Sequence, residues 1–349
     1  MILKDRLDAF KKLGVICRHP EKMNVINETI QRAYHNNSWF TPNNIKFSLS
    51  ALSQMIDSKL LSSWINSYKI IDQNKRIGVI VSSNIPLVGF FDFLCILLSG
   101  NIFIGQLSSS NKILLPYLAS ILLELNSNFR HYIFFEKNIE NIDLLIATGS
   151  DNSANYFQYK YSNLKKIIRG NRTSVAILNG FESVNDYSNL ANDVYTYFGL
   201  GCRSVSKLFV PVNFNFDKIK EVFENYHYFK PISQYMDNYK YQKTLHVMNN
   251  IDYIDFDNLL LVHSNALDSP ISVLYYEYYD SLEALDSLLV DYSDQIQCIV
   301  SKDSVIKNTI PFGLCQKPTL YDCPDRLDVM KFITTNESID TQPNQYRDY

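Results

Sequence analysis

The chain predicts an α/β fold of two domains, each a parallel sheet covered by helices. From residue 76 onward, short apolar, β-branched runs of strand length alternate with helical patterns. Such alternation implies βαβ units, and hence parallel sheets buried on both faces. The length of 349 residues fits two domains at roughly 150 residues each. With 46% hydrophobic and 20% charged residues, the chain has the material for a buried core without disulfide staples.

The elements follow in order. The first 70 residues read as helices and loops. Charged and apolar residues mix at helical spacing from the start, and further helical patterns run over 22–35 and 49–69. Residues 76–82 (RIGVIVS) make the first strand. Pro86 is placed to open a helix reaching Ser99, since its missing N–H is unpaired in a first turn anyway, and Gly100-Asn101 supplies a stop. This stretch is the most apolar in the chain, but it carries Asp92 and is too short to span a bilayer. A strand at 102–107 leads to a helix capped by Ser110 or Asn111 and ending near Leu125. Strands at 131–135 and 143–148 and a helix at 151–160 complete the first sheet. The second half alternates likewise, with strands at 174–178, 207–212, 259–263, 271–276 and 297–301 and helices at 184–198, 215–226 and 281–290. The tail after 335 is polar and reads as loose or as an arm for a partner subunit.

Composition excludes some functions. A net charge of -3 gives no basis for binding nucleic acid or anionic lipid. The N-terminus lacks the continuous apolar core of a signal peptide, and the six cysteines are scattered with no C-x-x-C pair, as in a reducing cytoplasm. No zinc or other metal site is expected. Asp322, Asp325 and Asp328 share a helical spacing but suit capping better than metal binding. The six histidines read as surface or core residues, and the aromatic stretch 226–241 fits either packing or an acyl tunnel.

In open parallel sheets, ligands bind beyond the carboxyl ends of the strands. Two segments there stand out: Ser82-Ser83-Asn84-Ile85-Pro86 after the first strand, and Thr148-Gly149-Ser150 before a helix. Glycine allows close backbone approach, and the N–H groups of a helix start favour phosphate. No G-x-G-x-x-G fingerprint occurs. Cys202 follows Gly199-Leu200-Gly201 between a helix and a strand, a setting that suits either an exposed nucleophilic thiol or a buried cysteine in a joint.

Taken in order, these motifs resemble the aldehyde dehydrogenase superfamily and, within it, the LuxC-type acyl-CoA reductases. Asn84-Ile85-Pro86 with Ser99-Gly100-Asn101 is similar to the family's N-x-P and A-G-N block, and Thr148-Gly149-Ser150 to its T-G-S turn. Gly170-Asn171-Arg172-Thr173 stands where many members have G-G-K-S, and Gly199-Leu200-Gly201-Cys202 matches the nucleophile turn. Pro311-Phe312-Gly313 and residues 316–322 resemble the reductases' C-terminal segment.

The resemblance implies an aldehyde-dehydrogenase-like fold with a Rossmann-like cofactor domain and a catalytic thiol domain. Residues 1–174, rejoined by 321–349, would form the N-terminal helices and cofactor domain, and 175–320 the catalytic domain. It implies an acyl-CoA or acyl-carrier-protein reductase that makes an aldehyde through an acyl-Cys202 intermediate, with Asn84 as oxyanion donor. Ser82, Ser83, Pro86, Gln106, Ser108, Thr148, Gly149, Ser150 and Gly170 would line the site for NADPH or NADH. The resemblance leans to NADPH, yet Gln106 stands at the family's ribose-binding lysine and lacks the charge for a 2′-phosphate, leaving Lys112 or Arg130 to compensate. Ile168 replaces the glutamate that activates water in hydrolytic members, which favours reduction over acid formation. A partner enzyme that transfers or ligates acyl groups and a homo-oligomer are also implied. The alternative is a catalytically weak scaffold that binds an acyl carrier or partner enzyme.

Overall fold

The computed structural model describes residues 1–18, 24–227, 229–302, 306 and 308–335; the tail after 335 lies outside them. The chain divides into two compact units, residues 1–171 with 317–349, and residues 172–316.

The first unit opens with four helices, α1 (Leu3–Arg18), α2 (Asn24–Asn36), α3 (Pro42–Met55) and α4 (Ser58–Ile65). The single helical pattern read over 49–69 is two helices, because Asp57 caps α4 by accepting the Lys59 N–H and so restarts the chain. Five parallel strands follow: β1 (Arg76–Val81), β2 (Ile102–Leu107), β3 (Ile133–Phe135), β4 (Leu144–Thr148) and β5 (Lys165–Arg169). Their order in the sheet is β3-β2-β1-β4-β5. Between them lie α5 (Phe90–Leu98), α6 (Leu114–Leu125) and α7 (Asp151–Lys160). The C-terminal helix α12 (Val329–Thr334) adds Val329, Met330, Phe332 and Ile333 to the same core as Phe10, Phe93 and Phe103.

Two helix starts differ from the sequence expectation. Pro86 does not open α5: Leu87 (φ 60°) and Gly89 (φ 87°) place a left-handed turn between them, and the helix starts at Phe90. Neither Ser110 nor Asn111 caps α6. Residues 109–111 form a separate 3₁₀ turn, and buried Asn111 instead donates to the Ser82 carbonyl at 2.9 Å.

The second unit is a six-stranded sheet, built from β6 (Thr173–Ile177), β7 (Val205–Pro211), β8 (Ile254–Asp255), β9 (Leu260–His263), β10 (Val273–Tyr279) and β11 (Ile296–Ser301). Its order is β11-β6-β7-β10-β9-β8, parallel throughout except for β8 at the edge. Helices α8 (Val184–Tyr195), α9 (Asp217–Glu224), α10 (Ser233–Met248) and α11 (Leu282–Asp291) accompany it. The expected helix at 184–198 stops at Tyr195, because Tyr197 (φ 57°), Phe198 (φ 59°) and Gly199 (φ 78°) are all left-handed.

Candidate active site

The first unit gathers the candidate residues for a dinucleotide along one edge of its sheet. The chain runs outward from β1 through β2 to β3, then continues on the other side with β4 and β5. The order therefore reverses between β1 and β4, and in such sheets a crevice forms beyond the carboxyl ends at that point. Ser82, Ser83, Asn84 and Pro86 follow β1, Thr148 ends β4, and Gly149 and Ser150 follow it. Gln106 lies near the end of β2 with Ser108 just beyond, and Gly170 follows β5. Register keeps these ends level: Ile80 pairs with both Gln106 and Ala147, and Thr148 with Arg169.

Each turn is held from the side. Asn111 donates to the Ser82 carbonyl at 2.9 Å, Asn37 to that of Ser83 at 3.4 Å and Ser48 to that of Pro86 at 3.1 Å. Gly149 donates to the Arg169 carbonyl at 3.1 Å. A Cβ on Gly149 would stand 2.8 Å from the Ser153 Cβ, so a side chain there would push this turn off the helix it precedes. Ser150 caps α7, and the Asp151 carboxylate is turned aside to the Asn171 N–H at 3.1 Å. The donors on offer are hydroxyls, a neutral amide and a helix start, a set that fits a pyrophosphate and ribose hydroxyls. Ile168, on β5, packs with Leu145, Ala147 and Tyr161 and holds no proton to give or take.

Two of these segments also share a buried ion pair that no local sequence pattern links. Asp92, in the first turn of α5, forms a bidentate pair with Arg169, at 2.7 and 2.8 Å. The two stand 77 residues apart in sequence.

The second unit carries Cys202, the one exposed cysteine of the six; Cys323 is half-buried and the rest are buried. This distinction decides reactivity, since the thiolate is the nucleophile. Burial pushes the thiols of Cys17 and Cys323 up to about 12, and those of Cys95 and Cys315 well above their usual value. Cys202 sits at the amino end of β7, unlike the carboxyl-edge candidates of the first unit. Gly199 supplies the last left-handed residue of the turn, where a side chain would meet no neighbour but would strain the backbone.

The turn is braced from below. The buried Ser174 hydroxyl donates to the Cys202 carbonyl at 2.9 Å and accepts the Cys298 N–H at 3.1 Å. Arg203 donates to the Cys315 carbonyl, and the Cys315 thiol donates to the Arg203 carbonyl at 2.8 Å. The Gln316 amide reaches Ser204 at 3.0 Å. Asp193, buried in α8, accepts the N–H groups of Gly313 at 2.6 Å and Cys315 at 3.1 Å. Burial pushes its carboxyl up to about 7, against the pull of those two N–H donors. No sequence signal marks Ser174, Asp193 or Cys315 as support, because each acts from a different part of the chain.

The aromatic stretch is largely packing. Phe198 lies against Phe229 and Tyr235, and Tyr195 stacks on Phe229 at 4.3 Å between centroids. Tyr235 and Tyr239 are buried. Of the histidines in this unit, His246 bonds the Gln242 carbonyl and His263 packs against Tyr276 and Tyr278. Asp328, one of the three spaced aspartates, caps α12.

Residues 61–225 match the family model described as LuxC acyl-CoA reductase. No curated protein matches the sequence. Among solved structures, the chain is similar to aldehyde dehydrogenase 21 from Physcomitrella patens in complex with the reaction product succinate. That match has a TM-score of 0.66 at 13% identity and covers 87% of this chain and 74% of that one. It is also similar to an indole-3-acetaldehyde dehydrogenase complexed with NAD+, with a TM-score of 0.62, 13% identity and coverage of 86% and 71%. A third, an NAD-dependent aldehyde dehydrogenase from Sinorhizobium meliloti, gives a TM-score of 0.62 at 11% identity, covering 89% and 74%. At these identities the likeness is one of fold. Among the described residues, no helix is long and apolar enough to cross a membrane.

Proposed function

We propose, from a chain of the aldehyde dehydrogenase fold whose residues 61–225 match the LuxC acyl-CoA reductase family model, that it reduces an acyl thioester to an aldehyde through Cys202. The observation that carries this reading is the exposure of Cys202 on a braced, left-handed turn while the other thiols are half-buried or buried. The Cys202 thiolate attacks the carbonyl of an acyl-CoA or acyl-carrier thioester. The C–S bond to the carrier breaks, its thiolate leaves with a proton, and acyl-Cys202 remains. When bound, NADPH or NADH supplies a hydride to that acyl carbon. The resulting thiohemiacetal takes up a proton and collapses, releasing the aldehyde and restoring the Cys202 thiol.

Asn84 and the Cys202 backbone N–H are the donors assigned to the oxyanion. Aimed donors of this kind are worth several kcal/mol in a site shielded from water. Ser82, Ser83, Pro86, Thr148, Gly149, Ser150 and Gly170 are assigned to the dinucleotide, with Gln106 and Ser108 on its ribose. Ile168 supports reduction, because a hydrocarbon side chain activates no water to hydrolyse the acyl-enzyme. On the same reading an acyl-transferring or ligating enzyme supplies the substrate.

Intact-protein mass spectrometry tests this directly. Incubation with acyl-CoAs of graded chain length should add one acyl mass, absent in Cys202→Ala, and discharged as aldehyde by NADPH or NADH. An adduct that persists in Cys202→Ala, or a failure of every acyl-CoA and acyl-carrier protein to form one, refutes the assignment.

A further inference from the structure

Arg169 ends β5 and lies in register with Thr148, the last residue of β4. Its carbonyl accepts the Gly149 N–H at 3.1 Å, which fixes the T-G-S turn. Its guanidinium forks onto both oxygens of Asp92, at 2.7 and 2.8 Å, with side chains 6% and 3% exposed. Asp92 stands in the first turn of α5, directly after the loop that carries Ser82, Ser83 and Asn84. The side-chain pair thus ties the end of β5 to the start of α5, while the Arg169 backbone ties β5 to the turn after β4. The Arg169 Nε has no hydrogen-bond partner, and the guanidinium also feels the carboxylate of Asp325.

A buried ion pair of this kind is weak evidence for stability. Desolvation offsets much of the attraction, and apolar residues of similar volume often serve as well. What the fork supplies that an apolar contact lacks is a fixed orientation. We infer that Arg169 and Asp92 are positioning residues, which hold the three carboxyl-edge turns in the geometry that receives the diphosphate of a nicotinamide dinucleotide. This rests on the reductase reading above.

Two variants separate positioning from mere support. The Asp92→Leu/Arg169→Met double variant removes both charges together, and Arg169→Lys keeps the charge but loses the fork. NADH and NADPH dissociation constants, melting temperature and the rate of Cys202 acylation are measured on the full chain. Both variants should bind the preferred nucleotide about tenfold more weakly, as misplaced binding groups do. The double variant should melt close to wild type, so that weaker nucleotide binding is not read as a loss of fold. Wild-type nucleotide affinity in a folded double variant overturns the positioning role. If the double variant does not fold, unchanged affinity in Arg169→Lys overturns it instead. A wild-type protein that is acylated but binds neither nucleotide overturns both this inference and the cofactor half of the reductase reading.

Discussion

The buried Asp193 carboxyl makes a pH-dependent contribution to stability with a definite sign. Its pKa of about 7 in the folded chain lies above the ordinary 3.8 of an exposed aspartate. The folded state therefore binds a proton that the unfolded state releases. Stability from this group is complete below the unfolded pKa and is lost as pH rises through the folded one. At about 1.4 kcal/mol for each pH unit between the two, the full range is on the order of 4 kcal/mol, and the part that falls between pH 5 and 8 is about 3 kcal/mol. Asp193→Asn is the perturbation. It removes the titration and leaves one of the N–H groups of Gly313 and Cys315 without its acceptor, a separate cost of about 1–3 kcal/mol that does not vary with pH. Urea unfolding of both proteins from pH 5 to 8 at fixed salt cancels the other titrating groups in the difference. The variant should be more strongly destabilised at pH 5 than at pH 8. Parallel curves would show that Asp193 is ionised throughout and that its two N–H donors outweigh burial.

Other outcomes follow from the same structure. Ser174→Ala removes the hydroxyl that holds the Cys202 carbonyl and accepts the Cys298 N–H; it should cost about 1–3 kcal/mol of stability and slow acylation, read by the rate of mass gain. Gly199→Ala should cost about 1–2 kcal/mol from backbone strain alone, since the added methyl meets no neighbour, and a denaturation midpoint equal to wild type would contradict this. Lys207→Met should cost about 3–5 kcal/mol by leaving Glu277 without its buried cation, with much of the loss recovered in Lys207→Met/Glu277→Leu by the same measurement. Iodoacetamide on the native chain should label Cys202 first, with peptide mapping as the check, because the other thiols lie partly or wholly under the surface.

Much of the architecture is legible in the sequence because its strands are short β-branched runs between helices. The parts that are not legible have physical reasons. β5 (KKIIR) opens with two lysines, and no strand is expected from it; the ammonium groups reach backbone carbonyls of Tyr161, Ser162, Phe332 and Thr335. α10 has polar and aromatic residues on every side, so no apolar stripe marks it. Pro86 has the character of a helix opener, but nothing in the local residues signals that Leu87 turns left-handed. At the site, the glycines before Cys202 mark the turn, and the thiol on it is exposed. The brace around it is hidden, since Ser174 and Cys315 reach the turn, and Asp193 holds Cys315, from separate parts of the chain. Asp92 is legible only as a charge too many for a membrane span, and its partner Arg169 becomes visible only once β5 and α5 are folded.

The split of the first unit between the two ends of the chain bears on how the protein is made. Leu320, Val329, Met330, Phe332 and Ile333 belong to the same apolar cluster as Phe10, Leu52 and Phe93. On a ribosome these five side chains emerge only after every residue of the second unit. The nascent first unit therefore waits with part of its core uncovered while residues 172–316 are synthesised and are free to fold. At about 5–20 residues per second, that interval lasts on the order of ten seconds. During it, the Phe-rich surface of α5 is a natural client for a chaperone.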